Sequence, residues 1–197
     1  MKKMNRREFL ALTGAAVVAL SLAGCDDAPP APPAPPAPPA PTTSKETDLL
    51  AAINKVWKEK HETGAVDHEQ LTLNQDAVGL IRAYGLILAK ANETTHQLTA
   101  EDGEIFSKGY LEFEVKLQKY GGEDSLAGVA GVLHQSADDV VTLEDAYSCE
   151  DTAVRAFVEK LLNSHPNSRK AEFISIYCPV VQGKTYMTAV MFRNNKP

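Results

Sequence analysis

Between residues 28 and 41 the chain repeats Ala-Pro-Pro, and no other stretch limits its fold so strongly. Proline fixes φ and lacks an amide hydrogen, so the tract can enter neither a helix interior nor a sheet and favours extended polyproline II. Fourteen residues at about 3.1 Å each make a spacer of roughly 43 Å. It reads as a tether, with a ligand for proline-reading modules as the alternative. The chain is thereby divided: 1–25 precede the tether, 26–44 contain it, and 45–197 remain for one domain with a sizeable core.

Residues 1–25 have a charged start, an apolar run from Ala11 to Leu22 and a small-residue end, the pattern of an export signal peptide. The run is about 12 residues long, against roughly 20 for a membrane-spanning helix. Arg6-Arg7 followed by Phe9-Leu10 resembles the twin-arginine (Tat) signal, and Leu22-Ala23-Gly24-Cys25 resembles the lipobox of bacterial lipoproteins. That resemblance implies cleavage before Cys25 and lipidation of its thiol. The expected product is an exported protein, in the periplasm or its equivalent, anchored to the membrane by lipid. Asp26 after the cysteine resembles the inner-membrane retention signal of enteric bacteria.

The signal segment carries four bases and one acid, so its removal takes the formal net charge from −6 to −9. An acidic surface repels phosphate backbones and anionic headgroups. Nucleic acid is therefore not an expected partner, and the membrane is reached through the lipid.

Besides Cys25 there are Cys149 and Cys178, and outside the cytoplasm an isolated pair is a disulfide candidate. A helix from Asp151 to Leu162 would run about 18 Å, and a strand returning from Glu172 to Cys178 would cover about 20 Å. If that strand packs back along the helix, Cys178 returns to the level of Cys149. The alternative is two buried free thiols.

Hydrophobic periodicity predicts four helices. Leu49, Leu50, Ile53, Val56 and Trp57 mark the first, over Glu46 to Glu62. Asn74 can cap a second with Ala77, Leu80, Ile81, Tyr84, Ile87 and Leu88 inward, and Gly79 and Gly85 there suggest close packing against another backbone. Ile105, Phe106, Tyr110, Phe113 and Leu117 mark the third; Val154, Phe157, Val158, Leu161 and Leu162 mark the fourth. Strands are expected late, over Phe173–Cys178 and Tyr186–Phe192, as an antiparallel hairpin turning at Gln182-Gly183-Lys184, with Gly128–Leu133 as a third. This order predicts an α+β fold, a small antiparallel sheet covered by helices.

Several segments carry a family resemblance. Leu49-Leu50-Ala51-Ala52-Ile53-Asn54 with Leu71-Thr72-Leu73-Asn74, Thr95-His96 with Asp102-Gly103, Ala153 to Phe157 running to Asn163-Ser164, and the terminal hairpin occur in an order similar to the CAP superfamily. That family comprises the SCP/PR-1-like domains of cysteine-rich secretory proteins, antigen 5 and pathogenesis-related 1 proteins. The resemblance covers roughly Asp48 to Phe192 and implies a three-layer α-β-α sandwich. It also implies a cleft where two histidines and two acids can hold a divalent metal such as zinc. His96 matches one of those histidines. The glycine-glutamate-asparagine motif reads Gly131-Val132-Leu133 here, and proline-glycine-histidine-arginine reads Pro166-Asn167-Ser168-Arg169, so an acid and a histidine are missing. His165 and His134 are candidate replacements.

Each histidine also has a plainer reading. His96 lies in a polar stretch and can brace a loop, His165 sits where a helix C-terminus favours a cation, and no base is placed by sequence beside Ser164 or Ser168. The expected function is a membrane-tethered, non-enzymatic CAP-like module binding an extracytoplasmic or cell-envelope ligand. The alternatives are a metal-dependent hydrolase using His96 with a relocated histidine, and a structural envelope protein.

Overall fold

The computed structural model describes residues 44–196; the expected signal segment, Cys25 and the proline tract lie outside these residues. The first helix, α1 (Ser44–Glu62), turns Leu49, Ile53, Val56 and Trp57 into the interior, all 0–1% exposed. Two polar side chains on α1 then fix the chain that follows. Trp57 Nε1 donates to the His68 carbonyl at 3.0 Å. Asn54 bonds both the amide and the carbonyl of Leu71, at 2.8 and 3.0 Å, as a neighbouring strand would. Strand β1 (Thr72–Leu73) starts directly after that clamp.

Asn74 acts as the predicted cap: its side chain accepts from the Asp76 amide at 3.0 Å. The capped 3-10 turn Gln75–Ala77 runs into α2 (Val78–Ala91). Helix α3 (Gly103–Leu117) crosses α2 at Gly79 and Gly109, where a Cβ on Gly79 would stand 2.6 Å from the Gly109 carbonyl oxygen. Gly79 thus packs against backbone as the sequence suggested. Gly85 faces side chains instead, the Tyr177 ring and Pro179.

The expected hairpin is the centre of the main sheet. Strands β3 (Leu126–Ala130), β7 (Phe173–Tyr177) and β9 (Lys184–Phe192) are antiparallel around β9, with Phe173 opposite Phe192, and β1 adds a parallel edge beside β7. The tight turn closes on a short extra strand, β8 (Val180–Val181), through Gln182-Gly183. Both of those residues have positive φ, 52° and 73°, as a two-residue hairpin turn requires. On the other edge of β9 lies β6 (Asp145–Ala146).

Helices cover both faces. On one, α1 and α4 (Asp151–Asn163) bury Trp57, Phe157 and Leu161 against Ile174, Ile176 and Met191. On the other, α2 and α3 bury Ile81, Phe113 and Leu117 against Val190 and Phe192. The result is a three-layer α-β-α sandwich of the α+β class. Among the described residues no helix is long and apolar enough to cross a membrane.

One element departs from expectation. The apolar run Gly128–Leu133 is not a single strand, because the chain turns at Gly131 with φ of 84°. A Cβ there would stand 1.8 Å from the Met187 carbonyl oxygen, so only glycine fits. Beyond it, β4 (Val132–Gln135) leaves the main sheet and joins a second, antiparallel one in the order β2 (Thr95–Gln97), β5 (Val140–Leu143), β4.

Candidate functional site

The second sheet brings two of the three candidate histidines together. On β5, Val141 is opposite His96 of β2 on one side and His134 of β4 on the other. Residues directly across an antiparallel sheet share a face, and two strand spacings put the two histidine Cα atoms about 10 Å apart. That face turns inward: Val141 is fully buried and packs with Tyr84, Leu88 and Leu143. His96 therefore stands on an edge strand, not in the polar loop the sequence suggested.

Both His96 and His134 have a side-chain hydrogen-bond partner. His96 Nε2 lies 3.0 Å from Asp102 Oδ2, and its Nδ1 lies 3.5 Å from Glu93 Oε2. Asp102 is only 4% exposed. The same Oδ2 accepts from the Thr99 amide and hydroxyl, both at 2.8 Å, closing a reciprocal cap on the 3-10 turn Ala100–Asp102 that leads into α3. Burial pushes the Asp102 carboxyl up, but the Thr99 bonds and the His96 ring outweigh it and hold it below the ordinary aspartate value.

His134 is held differently. Its Nδ1 is 2.9 Å from Tyr84 Oη, and its ring lies 5.5 Å from the Tyr84 ring, which in turn lies 5.6 Å from Phe106. Burial, then the Asp139 carboxylate, push the Tyr84 phenol up to about 12, so it stays protonated near neutral pH. When it donates to Nδ1, the ring proton falls on Nε2, a buried atom with no hydrogen-bond partner and 3.6 Å from Asp139 Oδ1.

His165 is in the other helical layer. It follows α4, and its Nδ1 accepts from the Asn167 amide at 3.2 Å. With residues 162–166, Ser168 and Arg169 it lines an open depression of about 550 Å³. The hydroxyls there are occupied: Ser164 Oγ donates to Leu161 O at 2.8 Å and accepts from the Val129 amide, and buried Ser168 Oγ donates to Leu162 O at 2.6 Å. Val132, where the resembled family carries an acid, packs into the two cores beside α2.

These residues do not fit a divalent metal. His96 reaches two carboxylates, His134 a tyrosine and His165 a backbone amide, and among the described residues no group of three or more His, Cys, Asp or Glu could hold an ion.

Both domain cysteines lie near the start of α1. Both are free cysteines in this structure. Cys149 is exposed and its Sγ lies 3.3 Å from Tyr147 Oη, which also donates to Lys45 O at 3.2 Å. Cys178 is half-buried with its amide on Glu46 Oε1 at 3.4 Å. Burial first, then Glu46, push its thiol up to about 12, and Cys149 adds to the shift. Tyr147 was not singled out from sequence; nothing in its neighbours in the chain marks it.

Comparison with protein-family models, curated proteins and solved structures finds no match.

Proposed function

We propose that this chain is a lipid-anchored, extracytoplasmic binding module of the CAP type, not an enzyme, held away from the membrane by its proline tether. The observation that carries the reading is the commitment of His96: Nε2 to buried Asp102, with Glu93 beside Nδ1. General acid–base or metal work needs a ring nitrogen open to a substrate or an ion; here Nε2 is taken by Asp102 and Nδ1 faces the Glu93 carboxylate, so the ring braces a helix entry. The α-β-α layering agrees with the resembled family, while Val132 and Ser168 stand packed or bonded where that family carries ligands. The ligand class is a polar component of the cell envelope met at the β2 edge, on the exposed face that carries Thr95 and Gln97, opposite the inward face of His96.

The experiment has two arms. Cys25→Ala and wild type are compared by membrane fractionation; the reading expects the variant to leave the membrane. Purified protein is then sedimented with cell-wall sacculi and dialysed against zinc. Retention by sacculi, weakened by substitution of Thr95 and Gln97, supports the reading. One zinc per chain, lost on His96→Ala, overturns it in favour of a metal-dependent enzyme.

A further inference from the structure

The sheet directs both domain cysteines to one place. Strand β9 carries β6 on one edge and β7 with β8 on the other. Leaving β6, the chain pairs Tyr147 N with Thr185 O at 2.9 Å and reaches Cys149 just before α4. Leaving β7, it reaches Cys178 under the first turn of α1. Tyr147 and Cys178 both pack against the core between α1 and α4. Tyr147 Oη ties Cys149 Sγ to the carbonyl of Lys45, whose ammonium lies 5.4 Å over the Tyr147 ring and bonds Thr185 Oγ1. Two thiols from segments 29 residues apart thus share one cluster with Tyr147, Lys45 and Glu46.

We infer that Cys149 and Cys178 are a dithiol–disulfide redox pair in which Cys149 is the attacking thiol and Cys178 the resolving one. The order follows from exposure: Cys149 is open to solvent and Cys178 is half-buried. The Cys149 thiolate attacks a low-molecular-weight disulfide such as oxidised glutathione. The disulfide's S–S bond breaks, one glutathione thiolate leaves, and Cys149 carries the other half. Cys178 then gives its proton to solvent and its sulfur attacks Cys149 Sγ, expelling the second glutathione. Two electrons pass from the cysteine pair to the oxidant, and the dithiol becomes a bridge. Burial and Glu46 hold the Cys178 thiol protonated, which suits the second, resolving role and not the first attack. Cys149 gives up Tyr147 when the bridge forms, and the loop before α4 becomes tied to the first turn of α1, where the tether joins the domain. The inference rests on the folded domain and not on the proposed anchor or ligand.

The test uses the full chain in oxidised glutathione, acid-quenched over time and mapped by non-reducing peptide mass spectrometry, with Cys25 read separately. The expected course is a mixed disulfide at Cys149 first, then the Cys149–Cys178 bridge, with Tm rising by roughly 5–10 °C. Cys178→Ser should stop at the mixed disulfide, and Cys149→Ser should leave Cys178 as a thiol. Alkylation of unsubstituted protein with N-ethylmaleimide checks the order without a variant, and Cys149 should react at least tenfold faster. A mixed disulfide that never resolves, glutathione arriving first on Cys178, or two thiols that stay free would each overturn the pair.

Discussion

Replacing Asp102 should remove the most heavily used side-chain oxygen at the small sheet. Its Oδ2 takes the Thr99 amide, the Thr99 hydroxyl and His96 Nε2 within 2.8–3.0 Å. A hydrogen bond to a charged group contributes about 1.5–3 kcal/mol, and loss of a helix cap costs about 0.5–2 kcal/mol. The three bonds share one oxygen and do not add, so Asp102→Ala should cost about 2–4 kcal/mol at pH 7. His96→Ala, which removes one bond and leaves the cap, should cost about 1 kcal/mol. For a domain of this size roughly 2–4 °C accompanies each kcal/mol, so Tm should fall by roughly 4–16 °C in Asp102→Ala. Urea unfolding followed by the fluorescence of Trp57, the only tryptophan, supplies the measurement. The pair should also be coupled, with the double variant losing less than the sum of the singles. A wild-type urea midpoint for Asp102→Ala, or strict additivity with His96→Ala, would refute the shared-oxygen argument.

Gly131→Ala should lose about 3 kcal/mol or more in the same urea assay, because a positive φ and a carbonyl 1.8 Å away leave a methyl group no room; a change below about 1 kcal/mol would show that the bend can relax. Acid stability should depend on Asp76, whose carboxyl burial raises but whose partners Lys119 and Tyr120, with Lys116, hold below its ordinary value. A depressed folded value stabilises above the unfolded pKa of about 3.9, and the gain is lost as pH falls through the folded value. Asp76→Asn should therefore be less stable than wild type at pH 7 and flatter below about pH 4, as read by urea midpoints across pH 2–7.

The helices were legible because their apolar stripes have the helical period: Leu49, Ile53, Val56 and Trp57 in α1, or Val154, Phe157, Val158 and Leu161 in α4, face the sheet that the sequence placed late. The small sheet was not legible. Thr95-His96-Gln97 is polar and three residues long, and β5 holds only Val140–Leu143 after an acidic turn, so neither offers an alternation long enough to read. Gly128–Leu133 looked like one strand because the break at Gly131 comes from contact with Met187, more than fifty residues away in sequence. The site suffered the same way. The sequence marks His96 and His134 as candidates, but their partners Asp102 and Tyr84 belong to other elements, and only the fold joins them. A length argument from the sequence places the two cysteines near each other but does not reveal the Tyr147 hydroxyl on Cys149.

Strand β9 has one further consequence, for the order of synthesis. It is the seam on which β3, β6, β7 and β8 all close, and among the described elements it is made last. Until residue 192 has left the ribosome, β3 and β7 have no common partner, and the two helical layers have no shared floor. A chain interrupted just before β9 keeps every described helix but lacks the strand on which the sheet closes. Early helices must therefore wait with Trp57, Phe113 and Phe157 uncovered, a growing target for holdases and proteases. Closure of the sheet is then late among the described elements, and a chain stopped before β9 lacks the strand that both helical layers pack against.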